Sequence, residues 1–280
     1  MESATTTGQT PETDETAEMF DESSDMSSVF NDGQVHLAYW YDDEDDAPLI
    51  EATQRLTRKV ADSLRLRKGD RVLDVGCGLG APAIQLATEY GVQVTGVNIS
   101  TVQVAEAQAR VRAAGMADQV TFRVGDYGSV DFPEGSFDAM VAMESLVYVD
   151  DLGHALGNLH RALRPGGLLS LTETTREGLG VEAAGQFASD FGAKRMLSVA
   201  EWVDTLREAG FEPVESLHCG PRVFGMGPKY LQAVDTRRDE LAGRFGEAAV
   251  DELRRTLETF FAPGADQIGY AVVTVQKPRN

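Results

Sequence analysis

The chain has 280 residues, of which 45 are Asp or Glu and 25 are Lys or Arg, so its formal net charge is −20. This acidic excess argues against nucleic acid as a partner, because phosphate-backbone binding needs Lys and Arg to displace counterions. Apolar residues make up 42% of the chain, enough to form one large buried core. Two cysteines, Cys77 and Cys219, are too few for a disulfide framework, which is typical of the reducing cytoplasm.

The sequence contains no sign of a membrane segment or of export. No run of apolar residues approaches the roughly 20 that a membrane-spanning helix needs. The first ten residues have neither the basic region nor the apolar region of a secretion signal. We therefore expect a cytoplasmic protein that acts without a membrane partner.

The acidic residues are concentrated at the N-terminus. Fifteen of them precede Arg55, which is the first basic residue of the chain. Residues 1–18 are rich in Thr, Glu and Ser and nearly free of bulky apolar residues, which predicts a disordered tail. The apolar content rises from residue 19, and the apolar spacing between Leu49 and Leu64 predicts a helix.

Strands and helices alternate over the rest of the chain. The predicted strands are 71–75, 92–97, 119–124, 137–143, 168–172, 211–218 and 268–276. Residues 220–265, between the last two strands, carry two apolar stripes that predict two helices able to form a lid. The alternation predicts an α/β fold with a doubly wound parallel sheet and helices on both faces.

The strongest local signal is the sequence Arg71-Val-Leu-Asp74-Val-Gly76-Cys77-Gly78-Leu-Gly80. It lies between a predicted strand and a helix, where glycines let the backbone approach a ligand and the helix start offers free N–H groups. A bare tight turn is the alternative, which the coincidence of Asp74 with three alternating glycines disfavours. Dinucleotide-binding folds carry G-x-G-x-x-G, whereas the spacing here is G-x-G-x-G. A nicotinamide-dependent oxidoreductase is therefore the weaker hypothesis.

This motif resembles the first motif of the class I S-adenosylmethionine-dependent methyltransferases. Three later segments resemble other motifs of that family and follow in the same order. They are Gly125-Asp126-Tyr127, Asp131-Phe-Pro133 with Gly135-Ser-Phe137-Asp138, and Leu163-Arg-Pro-Gly-Gly167. The resemblance, which spans roughly residues 71–175, implies a seven-stranded Rossmann-like sheet.

A narrower resemblance concerns the segment Val35-His36-Leu37-Ala38-Tyr39-Trp40. It is similar to the N-terminal lid of small-molecule methyltransferases of actinobacterial natural-product pathways, such as the rebeccamycin-type sugar O-methyltransferases. The resemblance then covers about residues 18–278 and implies a division of the chain into five parts. These are an acidic tail (1–18), an N-terminal helical lid segment (19–66), the cofactor-binding core (67–219), a helical lid insertion (220–265) and the last core strand (266–280).

The resemblance implies S-adenosylmethionine as the cofactor. Asp74 and the glycine loop would lie at its amino-acid end, Ile99 would pack on the adenine, and Asp126 would accept from the adenine amino group. Asn98 stands where the family usually has an acid that accepts both ribose hydroxyls, whereas an amide accepts one and donates to the other. Gln103 is equally well explained as a helix cap. The full predicted cofactor set is Tyr39, Asp74, Gly76, Cys77, Gly78, Gly80, Asn98, Ile99, Gln103, Gly125, Asp126, Tyr127 and Met143.

Methyl transfer to a hydroxyl also needs a base. O-methyltransferases that resemble this chain often carry histidines just after the fourth strand, where Val147 and Tyr148 stand here. Glu173 aligns with an acid of the sugar O-methyltransferases and is the first candidate base or substrate orienter. Glu144 is the second, because a buried carboxylate with a raised pKa accepts a proton. Its alternative role is a hydrogen bond to the lid or the cofactor. Tyr148 would orient the substrate or stabilise a cation with its ring face.

No metal site is predicted, because His154 and His160 lie six residues apart on one helix and do not share a face. The predicted function is methyl transfer to a small natural product, with oxygen favoured as the acceptor atom over carbon or nitrogen. The absent histidine pair keeps a different function open. A protein of this fold can retain the cofactor and catalyse a cyclisation or an isomerisation instead, since sites rather than folds determine chemistry.

Overall fold

A seven-stranded sheet forms the centre of the protein, whose computed structural model describes residues 11–279. The strands are β1 (Arg71–Val75), β2 (Gln93–Asn98), β3 (Val120–Val124), β4 (Phe137–Met143), β5 (Leu163–Arg176), β6 (Glu212–His218) and β7 (Ile268–Gln276). The helices are α1 (Pro11–Phe30), α2 (Leu49–Leu64), α3 (Ala81–Tyr90), α4 (Thr101–Ala113), α5 (Leu152–Ala162), α6 (Val181–Asp190), α7 (Val199–Glu208), α8 (Gly227–Thr236), α9 (Arg238–Phe245) and α10 (Glu247–Phe261). The predicted seven-stranded Rossmann-like class is confirmed.

The strand order is β3-β2-β1-β4-β5-β7-β6, and the first five strands run parallel. The last strand, β7, lies between β5 and β6 and runs antiparallel to both, so the sheet is mixed rather than wholly parallel. An antiparallel strand starts at the edge where its predecessor ends. The chain between β6 and β7 therefore stays over the carboxyl edge of the parallel strands, where ligands bind in this class of fold.

Helices cover both faces of the sheet, and the central strands are buried accordingly. Four of the five residues of β1 and six of the seven residues of β4 are buried. Such continuous apolar strands are typical of a sheet that is covered on two sides. Two large apolar clusters, one on each side, hold the carboxyl edge of the sheet in place. No helix within residues 11–279 combines the length and the apolar character needed to cross a membrane.

The N-terminal segment differs from the predicted disordered tail. Residues 1–10 lie outside the described residues, whereas residues 11–18 form the first turns of α1. Polar contacts hold this weakly apolar helix against α4, because the Arg110 guanidinium donates to the carbonyls of Ser28 and Asp32. Local composition does not show which distant residues a segment contacts, which is why the composition of residues 1–18 predicted disorder.

The helices near the C-terminus also differ in number from the prediction. The first of the two apolar stripes predicted within residues 220–265 forms two helices, α8 and α9, rather than one. They meet at Arg237, whose guanidinium donates to the Phe30 carbonyl at 2.8 Å. A third helix, α10, follows, so the insertion holds three helices rather than two. Helix α6 was not predicted, because its buried residues are two alanines, Ala184 and Ala188.

The N-terminal segment and the insertion pack against each other through Trp40. Its side chain is 1% exposed, its Nε1 donates to the Ala47 carbonyl at 3.0 Å, and its ring meets that of Tyr230 edge-on. The surrounding cluster draws on α1, α2, α8, α9 and α10. The two predicted lid parts therefore form one body above the sheet.

Replacing Trp40 with Ala is expected to lower the free energy of unfolding by roughly 3–5 kcal/mol, because it opens a large cavity in this cluster. Denaturant titration measures the loss. Val181→Ala is the control, since Val181 is 72% exposed and its truncation should change stability by less than about 0.5 kcal/mol. Equal effects of the two substitutions would contradict the packing role of Trp40.

Candidate functional site

A cleft of about 720 Å³ opens at the carboxyl ends of β1, β2 and β4. Eleven of the sixteen predicted site residues line it, which brings the glycine loop and the segment after β4 together. They are Asp74, Gly76, Cys77, Gly78, Asn98, Ile99, Gln103, Tyr127, Met143, Glu144 and Tyr148.

The glycine loop fits tightly around its neighbours. Gly76 and Gly78 have φ values of 73° and 51°, in the left-handed region that side chains disfavour. A Cβ atom on Gly78 would approach the Val35 side chain to 2.7 Å, and one on Gly76 would clash with Ser145. Both positions therefore need glycine for conformation and for space.

Asp74 lies at the end of β1 and presents a buried carboxylate to the cleft. Its Oδ2 atom is buried and has no hydrogen-bond partner among the described residues. Burial raises the pKa of Asp74 to about 7. An orphaned buried carboxylate of this kind is costly unless a ligand completes it.

The polar end of β2 is organised by a pair of amides. The Asn98 Nδ2 atom donates to Gln103 Oε1 at 2.7 Å, which leaves the side-chain oxygen of Asn98, Oδ1, for a ligand hydroxyl. The Gln103 backbone amide donates to Ser100 Oγ at 2.9 Å, as the predicted helix cap requires. Ser100 therefore caps the helix by accepting from the Gln103 amide, whereas the Gln103 side chain lines the cleft.

A second cavity of about 680 Å³ continues the cleft past Ile99 and Tyr127. Asp126 lies on its wall, and its Oδ1 accepts from the Gly128 amide at 2.8 Å. Tyr127 donates its hydroxyl to the Ser145 carbonyl at 2.5 Å, which ties this loop to the turn after β4. Gly125 lies on neither wall, and its amide donates to the Asn98 carbonyl instead.

Besides Gly125 and Asp126, two predicted cofactor residues lie outside the cleft lining, Tyr39 and Gly80. The Tyr39 ring packs under the Lys59 ammonium at 4.2 Å and its amide donates to the Ala52 carbonyl, so it is buried in the core. Gly80 precedes α3, and a Cβ atom there would come within 2.6 Å of Phe122, so this glycine serves packing.

Five residues that line the cleft were missing from the predicted site residues: Phe20 of α1, Val35 and His36 of the N-terminal segment, Pro82 of α3, and Ser145. We call residues 35–40 the strap, the segment whose first two residues line the cleft. The aromatic side chain of Phe20 meets the Tyr148 ring edge-on at 5.1 Å, closing the cleft from above. An isolated Phe in an acidic leader gave no periodic signal by which to find it.

His36 is buried in the strap, and burial lowers its pKa to about 4. The ring is therefore neutral at pH 7 and carries one N–H. Its Nδ1 lies 2.8 Å from the Leu37 carbonyl, and its Nε2 lies 3.1 Å from the Thr57 hydroxyl and 3.0 Å from Gln34 Oε1. These bonds fix the strap against α2.

An aromatic chamber of about 410 Å³ lies beside the cleft, under α6 and α10. Phe187, Phe191 and Phe260 form its apolar wall, with ring centroids 4.9–5.6 Å apart. Glu144 and Tyr148 line both the chamber and the cleft. The two cavities therefore share a wall that holds one carboxylate and one phenol.

Glu144 is bound through one oxygen from two sides. The Leu37 amide donates to Oε1 at 2.7 Å, and the Tyr270 hydroxyl donates to the same atom at 2.6 Å. Its backbone φ is 51°, an unusual conformation for a residue with a side chain. Burial raises its pKa to about 7, and the Tyr270 and Leu37 hydrogen bonds offset part of that rise.

Glu173, the first candidate base, is 1% exposed and lines the chamber but not the cleft. Its Oε1 accepts from the Leu146 amide at 3.0 Å, at the start of the 3-10 turn that carries Tyr148. Burial raises its pKa well above the usual range, and the charge of Glu144 raises it further. This carboxyl therefore holds the turn in place.

Neither a reactive thiol nor a metal centre is found in the described part of the cleft. Burial raises the pKa of the Cys77 thiol well above its usual value, and a neutral thiol is a poor nucleophile. Within residues 11–279 no group of three or more His, Cys, Asp or Glu side chains is arranged to hold a metal ion.

The model of the mycolic acid cyclopropane synthetase family matches residues 7–212. The chain belongs to this family. It is 35% identical over 273 residues to a 27-O-demethylrifamycin SV methyltransferase of Amycolatopsis mediterranei, covering 96% of this chain and 98% of that one. It is 32% identical over 261 residues to the O-methyltransferase resE of Aspergillus sclerotiorum, covering 92% and 95% of the two chains. Among solved structures, the [4+2]-cyclase SpnF superposes with a TM-score of 0.83 at 30% identity, covering 96% of this chain and 98% of that chain.

The protein is thus an S-adenosylmethionine-dependent methyltransferase, and the predicted class and cofactor are confirmed. The narrower resemblance to sugar O-methyltransferases stays an expectation. The cleft of this methyltransferase fits the cofactor, because the orphaned Asp74 oxygen would pair with the cationic amino group. The side-chain oxygen of Asn98, Oδ1, would accept from a ribose hydroxyl.

In this methyltransferase, Gly78→Ala is expected to weaken S-adenosylhomocysteine binding about tenfold or more. The added methyl group strains a positive φ and pushes Val35 away from the cleft mouth. Calorimetric titration measures the affinity. Gly157→Ala in α5 is the matched control, because nothing lies within 4 Å of its Cβ position, and its affinity should stay unchanged. A Gly78 variant with normal affinity would contradict the fit.

Proposed function

We propose that this methyltransferase transfers its methyl group to a hydroxyl of a small, largely apolar natural product. The relatives named above act in O-methylation, as their names state, and one acts on 27-O-demethylrifamycin SV. The phenylalanine-lined chamber beside the cofactor cleft supports an apolar acceptor.

One observation carries the proposal: Glu144 and Tyr148 line both the cofactor cleft and the aromatic chamber. S-adenosylmethionine supplies the electrophilic methyl group. A hydroxyl that attacks it must lose a proton, and a carboxylate between the two cavities can receive that proton. We therefore assign the proton to Oε2 of Glu144, because Oε1 already accepts from Leu37 and Tyr270.

Tyr148 and Glu173 complete the proposed reaction site. Tyr148 would orient the acceptor with its hydroxyl or ring, as predicted from the sequence. Glu173 would position Tyr148, because it accepts from the Leu146 amide in the same turn. This reverses the order of the two candidate bases, since Glu173 does not reach the cofactor cleft.

Cyclisation without methyl transfer is the second candidate function. The 30% identity to the [4+2]-cyclase SpnF over 96% of this chain supports it. The Val147 and Tyr148 pair, in place of histidines, supports it as well. In that case the cofactor would be retained as part of the structure and the aromatic chamber would fold the substrate.

Deletion of the gene in its host separates the two candidates. If the proposal is correct, the mutant accumulates a compound that lacks one O-methyl group. The purified enzyme then transfers label from methyl-labelled S-adenosylmethionine to that compound and releases S-adenosylhomocysteine. A compound that retains every methyl group but lacks a ring would overturn the proposal in favour of cyclisation.

With that compound as the acceptor, Glu144→Gln is expected to lower kcat by roughly 10²–10⁴-fold, the usual contribution of a general base. The affinity for S-adenosylhomocysteine should stay close to normal, because the amide keeps an oxygen for Leu37 and Tyr270. Glu173→Gln is the matched comparison and should retain more turnover, since its amide oxygen still accepts from Leu146. The opposite ranking of kcat would assign the base to Glu173.

The turnover of the wild-type enzyme is expected to rise with pH through about 7, where Glu144 loses its proton. A base acts only in its ionised form, so the activity is lost below that pH and reaches a plateau above it. The measurement uses saturating S-adenosylmethionine, because Asp74 also has a pKa raised to about 7 and faces the cofactor cleft. A kcat that does not change between about pH 6 and pH 8 would contradict the role of Glu144.

A further inference from the structure

Four successive backbone amides of the strap are bound to four different elements. The Leu37 amide donates to Glu144 and the Ala38 amide to the Tyr230 hydroxyl at 2.5 Å. The Tyr39 amide donates to the carbonyl of Ala52 in α2, and the Trp40 amide to the carbonyl of Arg222 before α8. Of these four acceptors, the Glu144 carboxylate is the ionisable one that lies in the reaction site.

The same strap begins with two residues that line the cofactor cleft. Val35 and His36, which come directly before Leu37, line the cofactor cleft, and Val35 packs on the glycine loop at Gly78. The two strap residues that line the cleft thus directly precede Leu37, whose amide donates to Glu144. A displacement of the strap from the cleft would remove the Leu37 amide from Glu144.

The second donor to Glu144 comes from the sheet itself. Tyr270 lies in β7, is 1% exposed, and its hydroxyl donates to the same Oε1 atom of Glu144 that accepts from the Leu37 amide. The Glu144 backbone is held at a positive φ, and such a conformation persists only where its surroundings determine it. The two hydrogen bonds to Oε1 help to hold Glu144 in this conformation and leave its Oε2 atom for another partner.

We propose that Tyr270 is a positioning residue that, together with the strap amide of Leu37, fixes Oε1 of Glu144 and turns Oε2 toward the acceptor. This inference rests on the proposed role of Glu144 as the proton acceptor. Tyr270 supplies a permanent donor, whereas Leu37 supplies a donor that is present only when the strap covers the cofactor. The hydrogen-bond set of the base is therefore complete only in the closed enzyme.

The groups that face Glu144 make these two donors important. Glu173 of β5 is a nearby acid, and the phenols of Tyr148, Tyr230 and Tyr270 surround the carboxylate. The one cation among the described residues that line the chamber, Arg195, donates to the Leu146 and Asp150 carbonyls, and its charge acts on Glu173 rather than on Glu144. Hydrogen bonds from neutral donors are therefore what stabilises the ionised form of Glu144.

The first test titrates Glu144 directly in the S-adenosylhomocysteine complex. Infrared difference spectroscopy follows the C=O stretch of its protonated carboxyl, and Glu144→Gln identifies that band by removing it. In Tyr270→Phe the midpoint should move upward by about one pH unit or more, a tenfold change in proton affinity, because one donor to the ionised form is lost. Tyr90→Phe removes a hydroxyl that bonds Asp62 far from the site and should leave the midpoint unchanged. An unchanged midpoint in Tyr270→Phe would overturn the proposal.

The second test examines the strap, and it also covers the case in which Tyr270→Phe fails to fold. Hydrogen exchange of the Leu37 amide is followed by NMR in the same complex. Glu144→Ala removes its acceptor and should speed that exchange about tenfold or more. The Trp40 amide, which donates to Arg222 in the same strap, should keep its protection. Unchanged exchange at Leu37, or equal loss at both amides, would overturn the coupling.

Neither test requires methyl transfer. If both succeed while the gene-deletion experiment yields an unclosed ring, the hydrogen-bond set exists but the proposed function is wrong. If methyl transfer is observed and Tyr270→Phe leaves the titration of Glu144 unchanged, the function stands and the positioning role is wrong.

Discussion

A buried carboxylate needs hydrogen-bond donors, and Glu144 finds its donors 107 and 126 residues away along the chain. One lies in the N-terminal strap and the other in the last strand, so the reaction site exists only when both ends of the chain are in place. This requirement explains why the site is built from the carboxyl edge of the sheet and both lid parts together. The core alone would leave an ionisable group buried without partners.

The antiparallel course of β7 supplies this convergence. Because β7 starts at the edge where β6 ends, the helices between them remain above the cofactor cleft. The same strand carries Tyr270 into the sheet beside β5, so one topological feature provides both the roof and a donor to Glu144. Trp40 then joins that roof to the strap through Tyr230. The lid is thus part of the hydrophobic core of the protein.

The sequence was sufficient wherever a local pattern decides structure. Strands β1, β4 and β7 begin and end at the predicted residues, and the loop at Asp74 lies against the cleft as its glycines indicated. Tertiary contacts decided the rest. Phe20 and Tyr39 look alike as aromatic residues in a polar leader, yet Phe20 closes the cleft and Tyr39 is buried beneath Lys59. Which of the two turns inward depends on the path of the strap, and no local periodicity records that path.

We place Glu144 before Glu173 as the candidate base, which reverses the order predicted from the sequence. Glu144 directly follows β4 and Glu173 lies in β5, so both lie near the cofactor edge, and alignment alone favoured Glu173. The structure separates them by their partners. Glu173 accepts from the amide of Leu146 and organises a turn, whereas Glu144 lies on the wall between the two cavities.

This difference bears on the choice between methylation and cyclisation. Burial and the charge of Glu144 both raise the pKa of Glu173, so an ionised Glu144 disfavours ionisation of Glu173. Which of the two acids carries the charge therefore matters. A hydroxyl acceptor needs that charge where the methyl group is received, and the wall at Glu144 is that place. A cyclisation that moves no proton would make no use of an ionised Glu144. The two donors on Glu144 support the proposed methyl transfer to a hydroxyl, because they stabilise the charge that this proposed reaction requires.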